Sequence, residues 1–368
     1  MRALPDAAAG LALIKPAVQA QPSYTLESPP ARRKLNQNES PHDFPAELKA
    51  EVLARAQAAA WQRYPAYYPW HLHERLAGHY GWVGEGVLTG NGSNELIQAT
   101  LAVALAEGDA VVAPSPAYSL YRLQTNVLGG RFVPVPLGLD FSYDVDALIA
   151  AAQRERAKIV VLASPNNPTG TALPADGVER VLAETEALVL VDEAYQDFGG
   201  PTALPLLAAS SRLVVLKSCS KALGLAGLRC GLALAHPAVA WEIAKAKLPY
   251  NVNLLTLIAA EVALDHAGLL AERTGRIVET RDLTVARLAL VPGLTVYPSA
   301  GNFFLVRCHA LPAREVCRRL YETHGILVRD VSTTHELAEC LRISVGTPED
   351  MDAVVAALEA ILAPAGVP

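Results

Sequence analysis

From about residue 85 the chain alternates short, nearly continuous apolar runs with stretches that are apolar on one side only. The continuous runs fall at 87–89, 110–113, 131–135, 159–163, 188–191, 213–216 and 232–235, and each reads as a strand. Between most of them the apolar spacing lengthens toward 3.6, which predicts helices over 94–106, 118–128, 145–152 and 174–183. Pro174 suits a first helical turn, because its ring holds φ near the helical value. Strands that lack polar alternation must be covered on both faces, and strand–helix alternation supplies that cover. The expected fold class is therefore α/β, a large domain with a mostly parallel seven-stranded sheet covered by helices. Ligands of such sheets gather beyond the carboxyl ends of the strands.

After Pro237 the texture changes. A long helical region over 239–290, bent near Pro249, precedes strands at 303–306, 326–329 and 341–345 and helices at 312–324 and 348–362. This predicts a smaller α+β domain over 263–368, behind a large domain at 60–262 and an N-terminal arm at 1–59. Length agrees: 368 residues exceed the roughly 250–300 that one core usually organises.

Composition removes several function classes. Half the residues are hydrophobic and 18% are charged, which excludes a disordered polar chain. No uninterrupted apolar run reaches the ~18 residues of a membrane span. The richest stretch, 213–234, is broken by Lys217, Lys221 and Arg229, so no membrane partner is expected. A net charge of −6 without a basic stripe argues against nucleic acid. The five cysteines at 219, 230, 308, 317 and 340 are odd in number and contain no C-x-x-C pair. They predict neither a disulfide framework nor a metal site, and they fit a reducing cytoplasm. Residues 1–20 carry an apolar stretch, but Pro5, Asp6 and Lys15 interrupt it and only Arg2 is basic before it. The segment reads as a flexible or packing arm rather than a secretory leader.

Four segments could carry chemistry. In SCSKALG (218–224), Lys221 follows an apolar strand among small hydroxyl residues. It is either a loop lysine or one that forms a Schiff base beside an anion held by Arg229 and the hydroxyls. In LVLVDEAY (188–195) four apolar residues deliver Asp192 to a strand end, where it either caps the next helix or pairs with a protonated ring nitrogen. SPNNPTG (164–170) is explained as a turn by composition alone. In GNGSNE (90–95) Ser93 can cap the following helix, whose free N–H groups could cradle a phosphate.

Together, SPNNPTG, VDEAY, SCSKALGLAGLRCG (218–231) and LRISVG (341–346) resemble the fold-type I aminotransferases that use pyridoxal 5′-phosphate (PLP). Within them the chain is similar to the histidinol-phosphate aminotransferase family, from about Tyr24 to the C-terminus. The resemblance implies that Lys221 binds PLP covalently and shuttles the proton, and that Asp192 meets the pyridine nitrogen. Asn167 and Tyr195 would bond the ring oxygen, and Tyr118 would stack on the ring. Gly92, Ser93, Asn94, Ser218, Ser220 and Arg229 would surround the phosphate. Tyr64 would reach it from the other subunit, which makes the expected assembly a homodimer whose arm also packs on the partner. Arg342 would recognise a substrate anion by two-point bonding that lysine cannot reproduce.

LNQNESP (35–41), Tyr24, Asn38 and Arg329 further resemble the substrate-binding positions of that family. The implied substrates are L-histidinol phosphate and 2-oxoglutarate, with L-glutamate as product, in histidine biosynthesis. Two arginines suit a phosphate dianion better than a lone carboxylate. The chain departs from the family's pattern at His42–Asp43 and at Ala66 after Tyr64-Pro65. His42, His71 and His73 read as packing or surface histidines. The other readings of the same motifs are an aromatic or broad-specificity aminotransferase, a phosphothreonine decarboxylase and a PLP-sensing regulator. The last would need a DNA-binding appendage, and residues 1–60 show no helix-turn-helix with a basic face.

Overall fold

In the computed structural model, which describes residues 6–21 and 28–363, the apolar runs assemble into one sheet. Strand β1 (Arg33–Lys34) lies apart from it. The sheet comprises β2 (Val87–Asn91), β3 (Ala110–Ser115), β4 (Arg131–Pro136), β5 (Ile159–Ala163), β6 (Leu188–Asp192), β7 (Leu213–Ser218) and β8 (Cys230–Ala235). Their order is β2-β8-β7-β6-β5-β3-β4, parallel from β7 through β4, with β8 antiparallel to both neighbours.

Continuous burial explains the continuous hydrophobicity. Successive strand residues point to opposite faces. Val160, Leu162, Val189, Val191 and Val215 therefore enter one core while Val161, Leu190, Val214 and Leu216 enter another. Helices Ser93–Ala104, Leu120–Val127, Val145–Arg154 and Gly177–Glu184 follow strands as expected. Two boundaries differ in cause. Pro174 lies in a turn, its carbonyl accepting from Gly177 N–H, and the helix begins after it. Ser93 does not cap; Gly92, at φ 81°, is the cap and Ser93 is already helical.

The helical region predicted over 239–290 is three helices, Pro237–Ala244, Leu254–Asp265 and Ala267–Leu288. Pro249 falls in the first break, as a residue without an N–H should. Asn253 then restarts the helix by accepting from Thr256 N–H at 3.0 Å. The second break is an 83° bend at His266. Ahead of the sheet, helices Ala46–Ala58 and Trp70–Tyr80 join the large core through narrow stripes such as Leu48, Val52 and Ala56. Arg55 and Arg75 both pair with Asp265, at 2.8 and 2.5 Å.

A second core gathers around β9 (Leu294–Val296), β10 (Phe303–Cys308), β11 (Ile326–Leu327), β12 (Arg329–Asp330) and β13 (Cys340–Ser344). Four of these form an antiparallel sheet in the order β12-β13-β10-β9, packed by helices Ala313–His324 and Pro348–Leu362. The strand predicted at 326–329 is split: β11 pairs in parallel with β1, and β12 turns to β13. Among the described residues no single helix is long and apolar enough to cross a membrane, and no cluster of three metal-ligating side chains occurs.

Candidate functional site

The carboxyl ends of β2, β3, β5, β6 and β7 and the start of β8 share one edge of the large sheet. Beyond that edge a cleft of about 780 Å³ opens, its far wall formed by β12, β13 and residues 36–39.

Asp192 stands at its floor because β6 ends level with Ala163 of β5 and Leu216 of β7. Its Oδ2 accepts from the Tyr121 hydroxyl at 2.6 Å and its Oδ1 from Ala194 N–H at 3.0 Å. Burial pushes its pKa up, and the Tyr121 bond works against that. Among the described residues Asp192 has no ion pair; the neighbouring Glu193 faces away and pairs with buried Lys217 at 2.8 Å. One turn beyond β7, the Lys221 Nζ donates to the Gln37 carbonyl at 2.9 Å and lies 5.7 Å from the centre of the Tyr195 ring. Burial first, and then the Arg342 charge, lowers the Lys221 pKa to about 7.

A cup of anion-binding groups adjoins Lys221. Arg229, at φ 58° just before β8, donates to Ser220 Oγ and to the Ala226 carbonyl, both at 3.1 Å. Gly92, at φ 81°, adopts a backbone conformation that L side chains rarely take, and a side-chain carbon there would also displace the Arg229 guanidinium from the cup. The first turn of helix Ser93–Ala104 opens here, with N–H groups that lack helical partners. Asn94 Nδ2 donates to the Tyr118 hydroxyl at 3.3 Å, and Ser218 lines the same end.

The opposite wall is built by register. Arg329 and Arg342 are directly paired across β12 and β13, so both side chains leave the same face of that sheet. Arg342 Nη1 donates to Asn167 Oδ1 at 2.6 Å and its Nη2 to the Asn36 carbonyl at 2.7 Å, tying the small sheet to the turn after β5. Asn38, at φ 52°, donates from Nδ2 to the Tyr195 hydroxyl at 3.1 Å and from its backbone to Ser344 Oγ at 2.8 Å.

The structure thus brings together Asn38, Ser93, Asn94, Tyr118, Asn167, Asp192, Tyr195, Ser218, Ser220, Lys221, Arg229, Arg329 and Arg342, with Gly92 behind Arg229. Tyr64 is elsewhere: it is 80% exposed and stacks on Tyr250 with ring centres 4.5 Å apart. Tyr24 lies outside the described residues. His73 is a packing histidine, buried and bonded to Thr89 Oγ1 at 3.3 Å. Sequence reasoning passed over Gln37, Tyr121 and Arg122, which also line the cleft. The spacing of Tyr118 and Tyr121, three residues apart, could have flagged the second. The Gln37 contact is a backbone carbonyl and has no signature.

The family described as aminotransferase class I and II matches residues 33–358. A histidinol-phosphate aminotransferase of Chlorobium phaeovibrioides is 38% identical, over 95% of this chain and 96% of the relative. Histidinol-phosphate aminotransferase 2 of Burkholderia pseudomallei is 40% identical over 95% of this chain and 98% of its own. The crystal structure of a histidinol-phosphate aminotransferase from Sinorhizobium meliloti in complex with pyridoxal-5′-phosphate superposes with a TM-score of 0.86. It shares 29% identity and covers 95% of this chain and 97% of that one.

Proposed function

The chain belongs to the class I and II aminotransferases, and from that premise we propose that it transfers the amino group of L-histidinol phosphate to 2-oxoglutarate. The products are imidazole-acetol phosphate and L-glutamate. It is a PLP-dependent transaminase. The observation that carries the substrate is the in-register pair Arg329 and Arg342 lining the same cleft as Lys221. Two guanidinium forks on one face suit a phosphate dianion, and in the second half-reaction the two carboxylates of 2-oxoglutarate.

The donor set fits PLP. A buried carboxyl, without a basic partner among the described residues, suits a protonated pyridine nitrogen. A lysine whose pKa falls to about 7 suits capture of an aldehyde. A guanidinium, hydroxyls and a helix start suit a phosphate. When bound, PLP supplies the electron sink that makes the α-proton removable and carries the amino group between half-reactions. Asp192 would hold its ring nitrogen, Asn167 and Tyr195 its ring oxygen and Tyr118 its face. Gly92, Ser93, Asn94, Ser218, Ser220 and Arg229 would hold its phosphate.

Lys221 would anchor the cofactor and then act as general base. Its Nζ, with a pKa lowered to about 7, would take the proton from the amine-bearing carbon of the substrate and hold it for the second transfer. Asn38 and Arg342 help close the cleft by bonding residues of the opposite wall, which limits water near that proton. A homodimer, supplying Tyr64 across the interface, completes the proposal. The exposed aromatic patch of Tyr64, Trp241 and Tyr250 supports it. The free cysteines among the described residues suit a reducing, cytoplasmic setting.

The test is amino transfer to 2-oxoglutarate from L-histidinol phosphate, L-histidinol and L-phenylalanine, measured side by side. A preference for the phosphate ester of two orders of magnitude, ~2.7 kcal/mol in transition-state binding, is expected. Equal turnover of phenylalanine would move the assignment to a broad aromatic aminotransferase.

A further inference from the structure

Tyr121 touches two of the side chains assigned to the cofactor ring, Asp192 and Tyr118, and no motif singles it out. We propose that Tyr121 is a positioning residue: its hydroxyl fixes the Asp192 carboxylate against the pyridine nitrogen while its ring braces Tyr118 on the pyridine face. The inference rests on the roles given above to Asp192 and Tyr118, and it concerns how those roles are enforced.

The geometry is specific. The Tyr121 hydroxyl lies 2.6 Å from Asp192 Oδ2, the range of a hydrogen bond to a charged acceptor. The other carboxylate oxygen already accepts from Ala194 N–H at 3.0 Å, so the two donors fix the plane of the group. Tyr121 is 1% exposed, so its hydroxyl is shielded from bulk solvent and spends its bond on Asp192. Its ring meets that of Tyr118 edge-on, with centres 5.7 Å apart at 90°. The ring is rooted in helix Leu120–Val127, where Thr125 Oγ1 bonds the Tyr121 carbonyl at 2.7 Å. Burial and the adjacent carboxylate push the Tyr121 pKa far up, so the phenol stays protonated and is always the donor.

A donor of this kind tempers the basicity of Asp192. Without it the buried carboxylate draws the shared proton toward itself, the pyridine ring withdraws electrons less, and the imine nitrogen at Lys221 becomes more basic. The pH midpoint of the visible absorbance of the bound cofactor must then rise.

The experiment uses the full-length protein loaded with PLP and reads two quantities: the PLP dissociation constant, and the pH midpoint of the Lys221-dependent visible band. Tyr143→Phe is the control. It removes another buried hydroxyl close to Asp192, but one that donates to the Ala163 carbonyl. Tyr121→Phe is expected to weaken PLP roughly ten-fold or more and to raise the midpoint by about 0.5–1 pH unit. Tyr143→Phe leaves the midpoint unchanged. Should Tyr121→Phe not fold, 3-fluorotyrosine at position 121 keeps the shape with a stronger donor, and must lower the midpoint. A midpoint unmoved by either change at 121, or moved equally by Tyr143→Phe, overturns the proposal. A wild-type protein with no Lys221-dependent band would instead overturn the cofactor roles themselves.

Discussion

At the scale of the residue, the site works by taking charged groups out of water and then choosing what faces them. Lys221 is depressed to about 7 because burial penalises its ammonium form and Arg342 repels it. In the PLP-free protein this has two consequences of the same sign. Between pH 7 and the ordinary lysine range the unfolded chain holds a proton that the folded site does not, so this group's contribution to stability rises with pH across that window. The uncharged amine that attacks an aldehyde also grows as pH passes 7. Stopped-flow absorbance should therefore show PLP capture accelerating up to about pH 8 and then levelling. A rate that keeps climbing to pH 10 would mean an ordinary lysine. Lys221→Ala should abolish both the visible band and transamination. Gly92 is a residue-scale constraint of another kind. Gly92→Ala places a carbon where the Arg229 guanidinium lies, at a φ of 81° that alanine resists. A loss of about 1–3 kcal/mol in thermal unfolding, together with weaker PLP binding, is expected.

At the scale of the element, register does what a single side chain cannot. Arg329 sits opposite Arg342 only because β12 is a two-residue strand that breaks away from β11 at Val328. The two cations thereby share one face. Arg329→Gln should lower kcat/KM for L-histidinol phosphate by roughly 10- to 150-fold, the worth of ~1.5–3 kcal/mol, and leave L-histidinol within about three-fold. An equal loss for both substrates would show that Arg329 acts on the fold and not on the phosphate. The same elements mark what could be read from sequence. The inner strands of the large sheet were legible because burial on both faces leaves little polar character to blur the run, while the edge strand β4, with Arg131 and Pro134 exposed, was legible from its Phe132, Val133 and Val135. Asp192 was legible because it ends such a run, and Lys221 because it follows one within a turn. Helix Ala46–Ala58 was not, since it buries only Leu48, Val52 and Ala56 and leaves Leu53 on an exposed face, which blurs the apolar stripe. The split of 326–329 into two strands with different partners was not either, because both halves are apolar or arginine and the change of partner is tertiary. The bend at His266 likewise lacks a proline or glycine at the break itself.

At the scale of the whole molecule, the question is what covers the aromatic patch. Tyr64 is 80% exposed, yet it is held in place by stacking on Tyr250, which Tyr67 meets edge-on at 5.7 Å. Tyr68, between Trp70 and Trp241, continues the same surface. Ordered aromatics of this extent lose hydration entropy unless something packs on them, and a two-fold copy of the same patch is the simplest cover. If that copy delivers Tyr64 to the cup beside Arg229, each active site needs two chains. The consequence can be tested by mixing two crippled proteins. Tyr64→Ala lacks the donated side chain, and Lys221→Ala lacks the anchor. In a hybrid dimer the site on the Tyr64→Ala chain has its own Lys221 and receives an intact Tyr64, while the site on the other chain has no lysine. Unfolding and refolding the two variants together at equal ratio gives half hybrids with one whole site of two, so activity should recover to roughly a quarter of wild type. Equal mixtures assembled separately should stay at the mean of the two parents. Recovery no greater than that mean would show that Tyr64 serves its own chain or none, and the patch would then be an interface without a part in the chemistry.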